Sequence, residues 1–375
     1  MNILLIGNGF DLAHGLPTSY RNFMDFLRIL PGAFQHPFPS PLNAWKQAAQ
    51  KVKEENNPTL TSLWEPFANF MTGSSNSSRY FGEILEMIEG NFWVDYLRKK
   101  YYGKTGEEKW VDFEGDIREV IRFLDSKNSQ TELLHLDTSL KNLWDVMPEV
   151  KKGSSIFNQW IYVPNVSLID RLYDDLRRLT RCFEIYLSFC VMGNRLFDPK
   201  QKVRLPYGIE GVLSFNYTDT FERFYKKSAE YCYIHGKAKL GNTRDNNDMV
   251  FGIDEYLPLE ERSTRLDYVR FRKYYQRIFN RTSYQYTKWI QSFGSHNLHI
   301  IGHSLEETDG DVLRELILHR GVITTVYYRD KNSSGRQIQK LIQRLGSDNL
   351  NRLARGGDDM GREIRFEPLE LIPNP

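Results

Sequence analysis

The first strand-type run of this chain, Asn2 to Ile6, lies about 200 residues before the next one, Gly211 to Phe215. Ile3, Leu4, Leu5 and Ile6 are apolar without a break, the pattern of a strand buried on both faces, and such a strand needs a neighbour on each side. Its neighbours must therefore come from far along the chain. Strand patterns return only after Pro206, at Gly211 to Phe215, Tyr231 to Ile234, Met249 to Ile253, Leu298 to Ile301, Val322 to Tyr328 and Glu363 to Phe366. Helical patterns at 258–292, 310–319 and 334–345 separate several of them. From Pro41 to about residue 200 the pattern is helical, clearest in the stripe Leu168, Leu172, Leu176, Leu179, Phe183, Tyr186, Leu187, Val191 at steps of mostly three and four. Alternating strands and helices predict an α/β fold with a mostly parallel sheet covered by helices on both faces. The expected division is one split sheet domain, 1–40 with 205–375, interrupted by a helical insertion, 41–204, longer than a typical connection. Gly73 to Ser78 and Asn242 to Asp248 read as polar loops.

A length of 375 residues agrees with this division, since one domain takes about 150 residues. The 50 basic and 48 acidic side chains leave a formal charge of +2, so no global field draws the chain onto nucleic acid or an anionic membrane; such a partner would need a local patch. One candidate is the stripe 262–281, with seven basic residues against the single acid Asp267 and with Tyr268, Phe271, Tyr274, Tyr275 and Phe279 interleaved. It reads either as a platform for single-stranded nucleic acid or as an amphipathic helix with its aromatics in the core. Three scattered cysteines, Cys182, Cys190 and Cys232, supply no close pair, which argues against a disulfide framework and against a four-cysteine zinc site. No targeting segment and no run of roughly 20 apolar residues is present; we expect a cytoplasmic protein without a membrane partner, assembled as a homo-oligomer.

The residues that could carry chemistry sit where strands are expected to end. Gly7-Asn8-Gly9-Phe10-Asp11 follows the first strand, where an open parallel sheet offers its crevice and a helix N-terminus presents free N–H groups to phosphate. The third glycine of a GxGxxG pattern is replaced by Leu12, so the motif also reads as a turn needed only for backbone geometry. Asp11 would repel phosphate and fits better beside a developing cation or as a helix cap. Ser214-Phe215-Asn216-Tyr217-Thr218-Asp219 is a second strand end, either an Asx turn or a ligand contact. His235-Gly236 is a third, with His235 structural or catalytic. Gly302-His303-Ser304-Leu305 is a fourth. His299 and His303 straddle a strand end and lack a third ligand, so no metal is expected. Asp112 and Glu114 read either as an acidic turn before a helix or as side chains reaching over the crevice. Four small polar turns at successive strand ends point to one shared crevice.

Gly7-Asn8-Gly9-Phe10-Asp11-Leu12-Ala13-His14-Gly15-Leu16-Pro17-Thr18-Ser19-Tyr20, Trp110-Val111-Asp112-Phe113-Glu114, Leu213-Ser214-Phe215-Asn216-Tyr217, His235-Gly236, Phe251-Gly252-Ile253-Asp254 and Gly302-His303-Ser304-Leu305 together resemble the AbiH family of bacteriophage abortive-infection proteins. A more distant similarity is to sirtuins. Gly7, Gly9, Gly15, Leu16 and Pro17 fall at spacings like their glycine loop, Asn216-Tyr217-Thr218 resembles their Asn-Ile-Asp with Asp219 one residue late, His235-Gly236 their His-Gly, and Gly302-His303-Ser304-Leu305 their Gly-Thr-Ser-Leu. The fold this implies is a Rossmann-like (sirtuin-like) mostly parallel sheet whose crevice takes NAD. The sirtuin zinc module is missing, which disfavours deacetylation.

The resemblance implies cleavage or recognition of the nicotinamide–ribose bond of NAD in an antiphage setting, with a phage-derived trigger or partner protein. Asn216 would position the ribose hydroxyls or a water, His235 would act as general base, and Asp11 would stabilise the oxocarbenium-like ribose. Gly7, Gly9 and Ser304 would hold the pyrophosphate, with Asn8, Phe10, Gly15, Tyr217, Gly302 and His303 completing the NAD site. A nucleotide sensor that binds NAD or ADP-ribose without turnover is the alternative, and an effector acting on nucleic acid a further one.

Overall fold

A computed structural model of the chain describes residues 1–375 apart from 73–74, 103–110, 127–154, 157–158, 161–165, 226–227, 283, 292–294, 306–309 and 375. Six strands build the main sheet: β1 (Asn2–Ile6), β2 (Gly211–Ser214), β3 (Glu230–Tyr233), β4 (His296–Ile301), β5 (Val322–Tyr328) and β6 (Glu363–Pro368). They lie in the order β3-β2-β1-β4-β5-β6, and all five pairings are parallel. The chain steps outward from β1 through β2 to β3, then crosses back to lay β4 on the other side of β1. Leu4 accordingly faces Val212 on one neighbour and His299 on the other. Between β1 and β4 the direction of winding reverses, and at such a point the loops leaving two adjacent strands part to opposite faces.

The apolar run of β1 is split between the two faces by the period of two that a strand imposes. Ile3 and Leu5 join Leu213, Ile300 and Val326 under α11 (Gln285–Gln291), α12 (Gly310–Ile317), α13 (Lys331–Leu345) and α14 (Ser347–Ala354). Leu4 and Ile6 join Val212 and Ile301 under α1 (Asn8–Ala13) and α9 (Thr220–Tyr225) through Phe10 and Phe221. Both faces are thus covered, as the run of Ile3 to Ile6 requires.

A third core belongs to a helical layer of α2 (Tyr20–Ile29), α3 (Pro41–Glu55), α4 (Pro58–Ala68), α5 (Ser75–Ile88), α6 (Phe92–Tyr102), α7 (Phe113–Ser126) and α8 (Val166–Ile185). The stripe on α8 continues through a π-helical turn, Tyr186–Val191, that keeps Tyr186, Leu187 and Val191 buried. Much of the expected insertion between 127 and 165 lies outside the described residues. The helical core also starts before residue 41, at Leu16 and α2, and takes in Tyr217, Met249, Phe251, Ile253, Tyr268 and Phe271. The layer therefore packs onto the sheet unit through shared side chains.

Three expectations change. Met249 to Ile253 is not a strand: its backbone is satisfied by the Gln276 side chain, which accepts from the Phe251 N–H at 2.9 Å and donates to the Phe251 carbonyl at 3.2 Å, and by a single bridge between Ile253 and Arg272. The stretch 258–292 holds only short helices, α10 (Lys273–Phe279) and α11, with 3-10 turns before them, because charged side chains tie it down: Arg272 to Glu255 at 2.9 Å and Arg265 to Asp125 at 2.8 Å. Ser75 to Ser78, expected in a loop, begins α5, where Ser77 donates its hydroxyl proton to the Pro66 carbonyl at 2.6 Å.

A buried ion pair ties α7 of the helical layer to α10. Lys273 Nζ lies 2.7 Å from Glu114 Oε2, with side-chain exposures of 2% and 11%, and Tyr20 donates to Glu114 Oε1 at 3.2 Å. Removing one member leaves a buried charge alone. Lys273→Met should cost about 3–5 kcal/mol in chemical denaturation, and Glu114→Gln added to it should recover much of that loss; equal losses in the single and double variants would contradict this reading.

Candidate functional site

Four loops leave the C-terminal ends of β1, β2, β3 and β4. Those after β1 and β4 touch backbone to backbone. Gly7 donates to the Ile301 carbonyl at 3.1 Å and Gly9 to the Gly302 carbonyl at 2.7 Å. A Cβ on Gly7 would stand 2.6 Å from the His303 Cα, one on Gly9 2.8 Å from the Gly302 Cα, and one on Gly302 2.0 Å from the Phe10 nitrogen. Gly302 also has φ +69°, where a side chain is strained. The glycines of the first loop are thus required by the second loop, and Gly7-Asn8-Gly9 is a seam as much as a cradle. Gly302→Ala should destabilise the fold by roughly 3 kcal/mol or more, measured by urea unfolding, since it combines overlap with an unfavourable φ.

The loop after β2 is tied to the loop after β1 through Asp11, which is 1% exposed. Asp11 Oδ1 accepts from Asn216 Nδ2 at 3.0 Å, and Oδ2 accepts from the Thr218 hydroxyl at 2.5 Å. Asn216 Nδ2 donates also to the Gly7 carbonyl at 3.0 Å, and Thr220 donates to Thr218 at 3.1 Å. Both oxygens of Asp11 thus face Asn216 and Thr218, and the carboxylate holds the Asn216 amide in place. Burial pushes its carboxyl up to about 6, against the pull of its hydrogen bonds. An acid whose folded value lies above its unfolded one loses stability on ionising, so its contribution is fully present below about pH 4 and declines as pH rises through 6. Relative to the wild type, Asp11→Asn should therefore gain stability between about pH 4 and 7, by up to about 3 kcal/mol; pH-independent differences in melting would refute the assignment.

His235 is 3% and His303 5% exposed. The Phe215 ring lies between them, edge-on, with centroids 5.5 Å and 4.6 Å away. His303 Nδ1 accepts from the Leu305 N–H at 2.9 Å. Tyr217 packs 6.1 Å from the His235 ring and donates its hydroxyl to the Val250 carbonyl at 2.7 Å. Asn8 and Ser304 are exposed; Asn8 Oδ1 accepts from Thr18 at 2.6 Å. Asn216, His235, Gly302, His303, Gly7, Gly9 and Asp11 are thus gathered along the strand ends. Two expected residues are not. Phe10 is fully buried, its ring against His14, Phe221 and Tyr225 beneath the sheet. Gly15 follows α1 at its far end, where φ +76° terminates the helix. His299 turns instead to the Tyr327 hydroxyl at 3.2 Å, so it does not join His303.

With this geometry in view, residues 3–328 match the family described as bacteriophage abortive infection AbiH. The chain belongs to the AbiH family. No curated protein and no solved structure shows significant similarity to it. The AbiH match contains β1 to β5 and all four strand-end loops, and stops before α13, α14 and β6. No helix among the described residues is long and apolar enough to cross a membrane.

Within the AbiH region the sequence reading missed Thr220 and gave Thr218 no role of its own, although their hydroxyls complete the Asp11 network; the Asn216-to-Thr220 run is polar enough to have suggested it. It also missed a cleft of about 290 Å³ beside that network, lined by Thr218, Asp219 and Arg223 after β2, Ser188 and Met192 from the π-helical turn, and Leu240 after β3. The two acids of 112–114 divide. Asp112 caps α7, accepting from the Gly115 N–H at 3.0 Å, whereas Glu114 reaches the Lys273 pair. Trp110 lies outside the described residues. In the stripe 262–281, Arg265, Arg270, Arg272 and Lys273 are engaged in ion pairs with Asp125, Asp170, Glu255 and Glu114, and Tyr268 and Phe271 are core residues.

Proposed function

We propose that this AbiH protein binds NAD across the C-terminal edge of its sheet and hydrolyses the nicotinamide–ribose bond, depleting NAD during phage infection. The observation that carries this reading is the strand order β3-β2-β1-β4-β5-β6, all parallel, which is the order of doubly wound dinucleotide-binding folds, together with a Gly-Asn-Gly loop and Gly302-His303 at the point where the winding reverses. Exposed Asn8 and Ser304 are the side chains available to a pyrophosphate there, since the Gly9 and Phe10 N–H groups of α1 are committed to the Gly302 and Gly7 carbonyls.

The chemistry follows from the neighbouring strand ends. Asn216, with Nδ2 committed to Gly7 and Asp11, has Oδ1 to offer a ribose hydroxyl or a water. Asp11 is the positioning residue for that amide. In hydrolysis, water attacks C1′ of the ribose as the C1′–N bond breaks. The bonding pair returns to the pyridinium nitrogen, nicotinamide leaves neutral, and His235 takes the water's proton, giving ADP-ribose. A second reading, a sensor that holds NAD without turnover, draws support from the depth of His235, which a water reaches only if the surrounding Phe215 and Tyr217 rings yield.

Purified protein incubated with NAD should release nicotinamide, and Asn216→Ala and His235→Ala should each lower the rate by about 10²-fold or more while NAD still raises the melting temperature. NAD-dependent stabilisation without nicotinamide release, in the resting protein and in phage-infected cells alike, would select the sensor. Neither effect would reject both.

A further inference from the structure

The family match ends at residue 328, and the chain beyond it adds α13, α14 and β6 on one side of the sheet. From Arg329 to Arg355 it carries seven Lys and Arg against two Asp, an excess of five positive charges in a chain whose total is +2. α13 has four basic residues and no acid in its 15 positions. It buries Gln337, Leu341 and Leu345 against the sheet and exposes Lys331, Arg336, Gln339 and Gln343. Arg352 and Arg355 are exposed on α14 and just after it. Lys331, Arg336 and Arg355 form no ion pair with any described residue, and Arg352 donates to Asn349 Oδ1 at 2.8 Å and lies 3.9 Å from Asp358. Arg344 differs, since its Nε donates inward to the Leu305 carbonyl at 3.1 Å. The contrast with 262–281 lies in particular residues: there Arg265, Arg270, Arg272 and Lys273 are spent on acids of other segments, here Lys331, Arg336 and Arg355 stand exposed.

We infer that α13 and α14 form a docking face for the phosphate backbone of a nucleic-acid duplex. Lys331 and Arg336 stand about 140° apart, at the two edges of the exposed side of α13, and cations distributed along a helix are the footprint of a polyanion site. Exposed Asn332, Gln339, Gln343 and Asn351 add donors of the kind that bond phosphate oxygens without reading bases. No aromatic residue occurs between 329 and 362, so unstacked bases find nothing to stack on, which favours a duplex over a single strand. A helix of 15 residues is about 22 Å long, enough to reach across a major groove roughly 12 Å wide and meet both phosphate rims. This face is independent of the NAD site.

The test is the full chain titrated against a labelled random-sequence DNA duplex over a salt series, read by fluorescence anisotropy. Binding should weaken linearly in log salt, and the Lys331→Glu/Arg336→Glu/Arg355→Glu variant should bind at least about tenfold more weakly with a slope shallower by about 0.9 per lost contact. Arg281→Glu, an exposed change in the other basic stretch, should bind as wild type. Arg336→Gln alone, checked by circular dichroism, should reduce the slope by about 0.9 where the triple variant fails to fold. The inference is overturned by absence of duplex binding at low salt, by equal binding of the α13–α14 variants, by equal loss in Arg281→Glu, by preference for single-stranded RNA, or by binding to phosphatidylserine vesicles in place of duplex.

Discussion

The molecule depends on the pairing of β1 with strands that are distant in the chain. Five residues, Asn2–Ile6, hold β2 on one side and β4 on the other, so neither half of the sheet closes until residues 211–214 and 296–301 have returned. That pairing sets where the loops meet. Because β1 lies between strands wound in opposite senses, the turn after it faces the turn after β4 on one side and the turn after β2 on the other, and the candidate site is the product of those two encounters.

Each encounter is sealed by a different physical device. Against β4 the seal is steric, glycine backbone on glycine backbone, with space for no Cβ at Gly7, Gly9 or Gly302. Against β2 it is a hydrogen-bonded carboxylate, Asp11, buried where ionisation is costly. The first holds the two loops in backbone contact. The second makes the position of the Asn216 amide depend on a carboxyl that burial pushes up to about 6. The helical layer adds its own coupling, since Tyr20, Glu114 and Lys273 connect α2, α7 and α10, and the Phe183 ring packs against Tyr20 on one side and Tyr217 on the other. Side chains of the helical layer therefore reach the wall of the sheet-edge site.

Much of this was legible in the residues. The unbroken apolar run of β1, the alternation of strand and helix after Pro206 and the glycine and Asn-Tyr turns at strand ends indicated a parallel sheet with converging loops, because burial on two faces and tight backbone turns leave direct marks on composition. Met249 to Ile253 misled because an apolar run is equally suited to a buried extended segment whose hydrogen bonds come from a side chain such as Gln276. The basic stretch 262–281 left two readings open because charge in a sequence carries no record of its partners: Asp125, Asp170, Glu255 and Glu114 lie apart in the chain and meet four of those cations only in the folded layer.

The sequence by itself determined the α/β class with its mostly parallel sheet, the long gap between β1 and the strand beside it, and the set of strand ends at which chemistry could be placed, since each is written in local periodicity and turn residues. Only the tertiary structure decided the strand order, the burial of Asp11 between Asn216 and Thr218, the withdrawal of Phe10 and Gly15 from the crevice, and which cations remain in solvent. Those are properties of pairs distant in sequence, and a pair acquires its distance, its dielectric surroundings and its hydrogen bonds only when the chain brings it together.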